Sequence, residues 1–394
     1  MRIGVPKEAF TADRRVALVP GLLPALVKNG HEVLIEEGAG LAAGHPDERY
    51  RDKGGQVVAS RDELFEKSEI VTTVRFAGAA RDSLADDLKR LREGQIVIAM
   101  TDPLGEPAAA KEVAATGAVL FGMELVPRIT RAQSMDVLSS QALVAGYKAV
   151  VLAANEVPRL FSMEMTAAGT LAPAHVFVIG AGVAGLKAIA TAKRLGAVVH
   201  AYDVRDAVAE QIQSLGGKFV TVDASSDAAE DSGGYAREMG EEFLTRQRAK
   251  MAEVSAKCDA VITTAAIPGK PSPLLLTADG VAGMRPASVI IDLAAERGGN
   301  CELTRADERV VEHGVTILGP TNLPSEMAGH ASQMYGKNLT NFLELLFDGE
   351  GALDLDTDDE IVKACMITRD NEVVNERTRE SLGLPSEKPE AEGA

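Results

Sequence analysis

A chain of 394 residues, 46% hydrophobic and 25% charged, is long enough for two or three domains and apolar enough to give each a core. Its net charge of −17 argues against nucleic acid or an anionic membrane surface as a general partner; an anion can bind only where backbone N–H groups or local arginines gather. Three cysteines, Cys258, Cys301 and Cys365, are odd in number and fit no metal spacing, which excludes a disulfide framework and points to a reducing compartment with no metal site.

The N-terminal stretch MRIGVPKEAF lacks the apolar core of a signal peptide. The strand candidates that follow are RIGVP (2–6), EVLIEE (32–37), QVVA (56–59), IVTTVRF (70–76), QIVIAM (95–100) and AVLFGMEL (118–125). Helix-length segments such as EPAAAKEVAATG (106–117) lie between them. A polar stretch, VPRITRAQSMDVLSS (126–140), then separates the last of these strands from an Ala/Val-rich helical run. That run is broken by Lys148, and no uncharged run reaches about 18 residues, so no membrane-spanning helix is expected. Later strands are HVFVIG (175–180), VVHAYD (198–203), KFVTV (218–222), DAVITT (259–264), SVIIDLA (288–294) and VTILG (315–319), with GEEFLTRQRAKMAEVSAK (240–257) as a helix. The helical segment 328–348 places Met334, Leu339, Phe342, Leu345 and Leu346 on one face, packed back on the first unit.

Alternation of this kind, with several strands continuously apolar, predicts an α/β protein of two Rossmann-like, doubly wound parallel-sheet domains with a cleft between them. The expected boundaries are 1–140 plus 325–380 for the first domain, 141–324 for the second, and a disordered Pro/Glu/Gly-rich tail over 381–394.

The strongest chemical signal is HVFVIGAGVAGLKAIATAKRLGAVVHAYDVR (175–205). Gly180, Gly182 and Gly185 form G-x-G-x-x-G between a strand and an Ala-rich helix. They allow a tight turn, close approach to a pyrophosphate, and close packing of helix on strand. The helix N-terminus offers unpaired N–H groups to phosphate. Asp203, at the end of the next strand, would accept from the ribose hydroxyls and repel a 2′-phosphate, favouring NAD(H) over NADP(H); Arg205 works slightly against that preference. A glycine turn without ligand is the bland alternative. TTAAIPGKPSP (263–273) and AAERGGN (294–300) follow strands where a nicotinamide is expected, and otherwise read as ordinary turns. The polar, Gly-containing segment 223–240 with Tyr235 reads equally as a lid or as a solvated loop.

Across nearly its whole length the sequence resembles the NAD(H)-binding alpha subunit, the soluble component, of proton-translocating NAD(P) transhydrogenase. The resemblance rests on GVPKEAFTADRRVALVP, PRITRAQSMDVLSSQA, VIGAGVAGL, TTAAIPGKP and IIDLAAERGGNCELT in that order. It implies hydride transfer between NAD(H) on this chain and NADP(H) on a partner subunit, coupled to proton movement through a membrane-spanning subunit. It further implies a homodimer, cytoplasmic and peripheral to the membrane through its partners, with no membrane insertion of its own. The loop matching 126–140 would reach over the NAD site. Arg128, Asp136 and Ser139 would orient the nicotinamide carboxamide and ribose, and Gln133 would reach toward the partner's nucleotide. The expected NAD-contacting set is Arg128, Ile129, Thr130, Gln133, Asp136, Ser139, Gly180, Gly182, Val183, Ala184, Gly185, Asp203, Val204, Arg205, Gly234, Tyr235, Ala265 and Ala266. Direct hydride transfer asks for ring position rather than an acid or base. A plain helix N-cap at Ser139 accounts for part of the loop's polarity but not all of it.

Two rivals remain in sequence terms. Alanine dehydrogenase, a related family, uses an Arg, a Lys and a His. Arg15 matches the Arg, but Arg75 stands where the Lys belongs, no His lies between 46 and 174, and Glu296 replaces the expected acid. An NAD-sensing regulatory subunit would have no need of an outward Gln133.

Overall fold

The computed structural model describes residues 1–10, 13–222, 240–267, 269–348, 351–355 and 358–385. The chain divides into two compact units, Met1–Gln141 with Ser325–Ala394, and Ala142–Pro324. The first unit begins with β1 (Arg2–Val5), β2 (Glu32–Glu36), β3 (Gln56–Val58), β4 (Ile70–Arg75), β5 (Ile96–Met100) and β6 (Val119–Gly122). The second holds β7 (Glu164–Thr166), β8 (Gly169–Leu171), β9 (His175–Ile179), β10 (Val198–Tyr202), β11 (Lys218–Phe219), β12 (Ala260–Thr263), β13 (Val289–Asp292), β14 (Arg309–Glu312) and β15 (Val315–Leu318). The chain then returns to the first unit with β16 (Met366–Arg369) and β17 (Glu372–Val373).

The first sheet runs β17-β16-β6-β5-β4-β1-β2-β3, and β1 to β6 pair in parallel. β16 adds to β6 antiparallel and β17 to β16 antiparallel, so the sheet is mixed rather than wholly parallel. The second sheet runs β11-β10-β9-β12-β13-β15-β14, parallel except for the edge strand β14. Such edges are common on otherwise parallel sheets. Ile3, Val5, Ile96, Ile98 and Phe121 face one core and Val71, Val97 and Leu120 another, as strands covered on both faces require.

The helix Ala328–Leu343 buries Leu339, Phe342 and Leu343 in the first unit's core. Met334 and Leu345 are only half-buried; the larger anchor is Tyr335, whose hydroxyl donates to the Thr73 carbonyl. Strand AVLFGMEL ends at Gly122, and Met123–Leu125 forms a 3-10 turn instead. The tail expected to be structureless from Ser381 is held at its start: Ser381 closes the helix Glu376–Ser381 and the Arg379 guanidinium donates to the Pro385 carbonyl. Residues 386–394 lie outside the described residues. The helix Val137–Glu156, with a mean hydropathy of 1.5, is long and apolar enough by composition to cross a membrane. Its Ala149, Val150 and Ala153 are buried in the second unit's core.

Candidate functional site

In the second unit, β9 leads straight into the glycine turn. Gly180 has φ +96°, a left-handed conformation that only glycine adopts without strain, and its N–H donates to Tyr202 O. A Cβ on Gly185 would stand 1.8 Å from the Gly180 carbonyl oxygen, so only glycine fits where helix meets strand. Gly182 differs: it caps the helix Val183–Arg194 with no side-chain bond of its own, and a Cβ there would meet nothing within 4 Å. Open space in front of a helix N-terminus is what a pyrophosphate needs. Val183 is exposed and Ala184 half-buried beside it.

Asp203 is buried. Its Oδ2 accepts from the Ala181 N–H at 2.7 Å and its Oδ1 from the Arg205 N–H at 2.9 Å. The Arg205 guanidinium folds back on the same carboxylate, Nε to Oδ1 at 2.9 Å. The acid therefore ties the glycine turn to the end of β10 as well as being placed for a ribose, with Val204 half-buried between the pair. Arg205 neutralises much of the charge that would repel a 2′-phosphate, a stronger effect than its sequence position conveys.

The stretch after β12 is pinned by residues the sequence did not mark. Asn300, fully buried, accepts from the Ala265 N–H and donates to the Ala265 and Pro273 carbonyls. Asp292, at the end of β13, accepts on Oδ1 from Thr263 Oγ1 and the Ala294 N–H. Its Oδ2 accepts from the Asn300 and Cys301 N–H groups and Thr304 Oγ1. A buried carboxylate so fully satisfied holds its surroundings rigid. Ala265 is half-buried and Ala266 exposed beside this network. Gly234, Tyr235 and the lid over 223–239 lie outside the described residues.

In the first unit, the polar loop forms two turns. Arg128 and Thr130 are exposed and Ile129 half-buried; Thr130–Met135 is a 3-10 turn seated on buried Ala132 and Met135. Gln133 is exposed, and its side chain bonds to none of the described residues. Asp136, not Ser139, caps the helix Val137–Glu156: Asp136 Oδ1 accepts from the Ser139 N–H at 2.9 Å and Oδ2 from Ser139 Oγ at 2.6 Å. Asp136 and Ser139 thus hold each other, which an aspartate cap with an acceptor at the third helical position does well.

Below the loop lies a buried charged cluster. The Arg15 side chain is 1% exposed. Its Nε and Nη2 bind both oxygens of Asp13, and Nη1 donates to Gln141 Oε1 at 2.8 Å. Arg75 Nε stands 3.3 Å from Asp13 Oδ2. Burial opposes ionisation of Asp13, but the Arg15 hydrogen bonds and charge, with Arg75, hold its carboxyl below the usual range. Glu8 accepts from Thr73 Oγ1 and the Val74 N–H; burial, then the neighbouring Asp13 charge, push its carboxyl up to about 7. Burial likewise raises Glu124 to about 7; its Oε1 accepts from the Thr101 and Asp102 N–H groups while Oε2 is buried without a partner. No group of three or more metal-ligating side chains occurs among the described residues.

Residues 4–145 match the alanine dehydrogenase/PNT N-terminal domain family and residues 149–376 the alanine dehydrogenase/PNT C-terminal domain family. In Rhodospirillum rubrum, the first of the chains that make up NAD(P) transhydrogenase subunit alpha is 45% identical over 377 residues, 95% of this chain and 98% of that protein. The chain belongs to the NAD(P) transhydrogenase alpha-subunit family. The crystal structure of transhydrogenase from Sinorhizobium meliloti matches with a TM-score of 0.81 at 42% identity, covering 95% of this chain and 99% of that one. Alanine dehydrogenase of Bacillus subtilis is more distant, 28% identical over 98% of this chain and 97% of its own.

The cluster around Arg15 separates the transhydrogenase alpha-subunit family member from an amino acid dehydrogenase in physical terms. A 2-amino acid substrate needs an arginine free to take its carboxylate. Here Asp13 occupies two edges of the Arg15 guanidinium and Gln141 a third.

Proposed function

We propose that this chain holds NAD(H) at the Gly180–Gly185 turn and presents its nicotinamide to an NADP(H) carried by a partner subunit of a membrane-associated, proton-translocating transhydrogenase. The observation that carries the reading is the pairing of an open phosphate cradle at Gly182 with an outward, unpartnered Gln133 on a braced loop. Bound NAD(H) supplies the hydride donor or acceptor. The chain's own residues do the rest. The first N–H groups of the helix Val183–Arg194 bind the pyrophosphate, and Asp203 accepts from the ribose. Arg128, Asp136 and Ser139 orient the nicotinamide. Gln133 contacts the incoming nucleotide. Because hydride transfer requires sub-ångström ring approach, rigid placement of these side chains is their contribution.

A homodimer fits the second unit's surface. β7 and β8 pair only with each other, and all their residues are exposed. Met165 is 78% exposed, Met163 57% and Leu171 51%. An isolated two-stranded hairpin is marginal in water, and a contiguous apolar patch of this kind marks a protein contact.

The test has two arms. NADH should bind the isolated chain by fluorescence titration far better than NADPH; equal affinity would remove the cofactor assignment. Gln133→Ala should leave NADH affinity nearly unchanged yet slow transfer by about 10–100-fold once an NADP(H)-binding component is added, a pattern of lost transition-state positioning. Lost NADH affinity with unchanged transfer at saturation would sink the bridging role of Gln133. L-Alanine-dependent NAD reduction would favour the alanine dehydrogenase alternative instead.

A further inference from the structure

The Gln133 turn is fastened from outside at few points, and one side chain holds it at both ends. Asn338, on the helix Ala328–Leu343, is 7% exposed. Its Nδ2 donates to the Ser134 carbonyl at 2.7 Å, and its Oδ1 accepts from Ser140 Oγ at 2.5 Å. Ser134 directly follows Gln133, and Ser140 directly follows Ser139. A carbonyl oxygen can only accept, so the Ser134 contact fixes which end of the amide faces the loop. An aspartate of the same shape would set two acceptors against each other. Asn341 adds a second, more exposed donor to the same Ser134 carbonyl at 2.9 Å.

The rest of the turn is held by other means. Asp136 and Ser139 lock the helix start internally, and Ala132 and Met135 sit in the core beneath. Gln141, further along the helix, is separately anchored to the Ala331 carbonyl and Arg15. Loss of the Asn338 amide therefore leaves a folded turn free to shift as a unit.

Resting on the reading of Gln133 given above, we propose that Asn338 is a positioning residue for hydride transfer, fixing the stand of the Gln133 turn through Ser134 and Ser140 without touching either nucleotide.

The experiment is a double-mutant cycle in the full chain reconstituted with the NADP(H)-binding transhydrogenase component, reading NADP+ reduction by NADH. Asn338→Ala and Asn338→Asp should each lower kcat by about 10-fold, since small misplacements cost that much or more, while NADH affinity of the isolated chain stays within about threefold. Combined with Gln133→Ala, Asn338→Ala should add little, because both act on the same contact. Ser140→Ala, which removes one bond from a half-buried site, should lower kcat by about threefold and serves if the Asn338 variants fail to fold. Wild-type kcat for Asn338→Ala beside a slowed Gln133→Ala overturns the inference and leaves the functional reading standing. Full additivity in the cycle also overturns it, since Asn338 would then act elsewhere. An unaffected Gln133→Ala defeats the functional reading and this inference together.

Discussion

Gly146 shows how closely the long helix is fitted to the phosphate turn. It lies mid-helix, where alanine is favoured over glycine by about 1 kcal/mol. Propensity alone therefore predicts that Gly146→Ala stabilises the protein. A Cβ at this position, however, would stand 2.1 Å from the Ala184 carbonyl oxygen, 2.8 Å from its carbonyl carbon and 3.0 Å from its Cα. The overlap exceeds 1 Å relative to ordinary contact, and every atom met is backbone, so no rotamer change relieves it. Overpacking of a close-fitted site costs about 1–3 kcal/mol, and a backbone collision belongs at the upper end. The net expectation is a loss of about 1–2 kcal/mol. Relief would come by moving the Val183–Ala184 turn, whose N–H groups face the nucleotide phosphates. Since 1.4 kcal/mol is tenfold in affinity, NADH binding should weaken by about 10-fold. Urea unfolding with fluorescence titration of NADH measures both. A variant stabilised by about 1 kcal/mol with unchanged NADH affinity would refute the reasoning.

Gly182→Ala is the complement: with nothing within 4 Å of the new Cβ, urea stability should hold or rise slightly while NADH affinity falls, and unaltered affinity would remove the pyrophosphate from that space. Asp203→Ala should cost about 1–3 kcal/mol in NADH affinity and also destabilise the chain without nucleotide, because it strands the buried Ala181 N–H; an undisturbed melting curve would contradict that second role. Glu8 and Glu124 give stability a pH dependence. Both carboxyls titrate near 7 when folded against an ordinary value of 4.5, so the stability they contribute is complete below about pH 4.5 and is lost as pH rises through 7. Glu124→Gln keeps the acceptor for Thr101 and Asp102 and removes the titration, so it should stabilise the protein at pH 8 by up to about 3 kcal/mol and leave a flatter profile between pH 5 and 8, read by urea melts. An unchanged slope would show that Glu124 is not among its sources.

The sequence made the parallel strands legible because each is a short β-branched run between helix-length segments. It did not reveal β16. MITR is four residues long and ends in Arg369, and it becomes a strand only by pairing with β6 from far earlier in the chain. The glycine turn was readable because three glycines, a strand and a helix are local features. The Asp292–Asn300 network was not, since the two side chains reach Thr263, Ala265 and Pro273 through bonds that no spacing encodes. Asp136 and Ser139 illustrate a finer ambiguity: either residue can cap a helix, and only the carboxylate's two bonds to Ser139 settle the choice. In the helix Ala328–Leu343 the apolar pattern picked Met334, while the structure buries Tyr335, whose ring needs the Thr73 carbonyl that the first unit supplies.

The antiparallel return of β16 onto β6 bears on how the chain is made. A ribosome delivers β1 to β6 first, then the whole of the second unit, and only afterwards the strand that completes the first sheet. The second unit is one uninterrupted segment and can fold while the first still waits. Throughout that interval β6, Val119 to Gly122 and buried at every position in the finished protein, has an open edge. Open apolar edges recruit other chains. Nascent chains halted between Pro324 and Met366 should therefore be the aggregation-prone species, and slow synthesis across that stretch should reduce yield more than slow synthesis within the second unit.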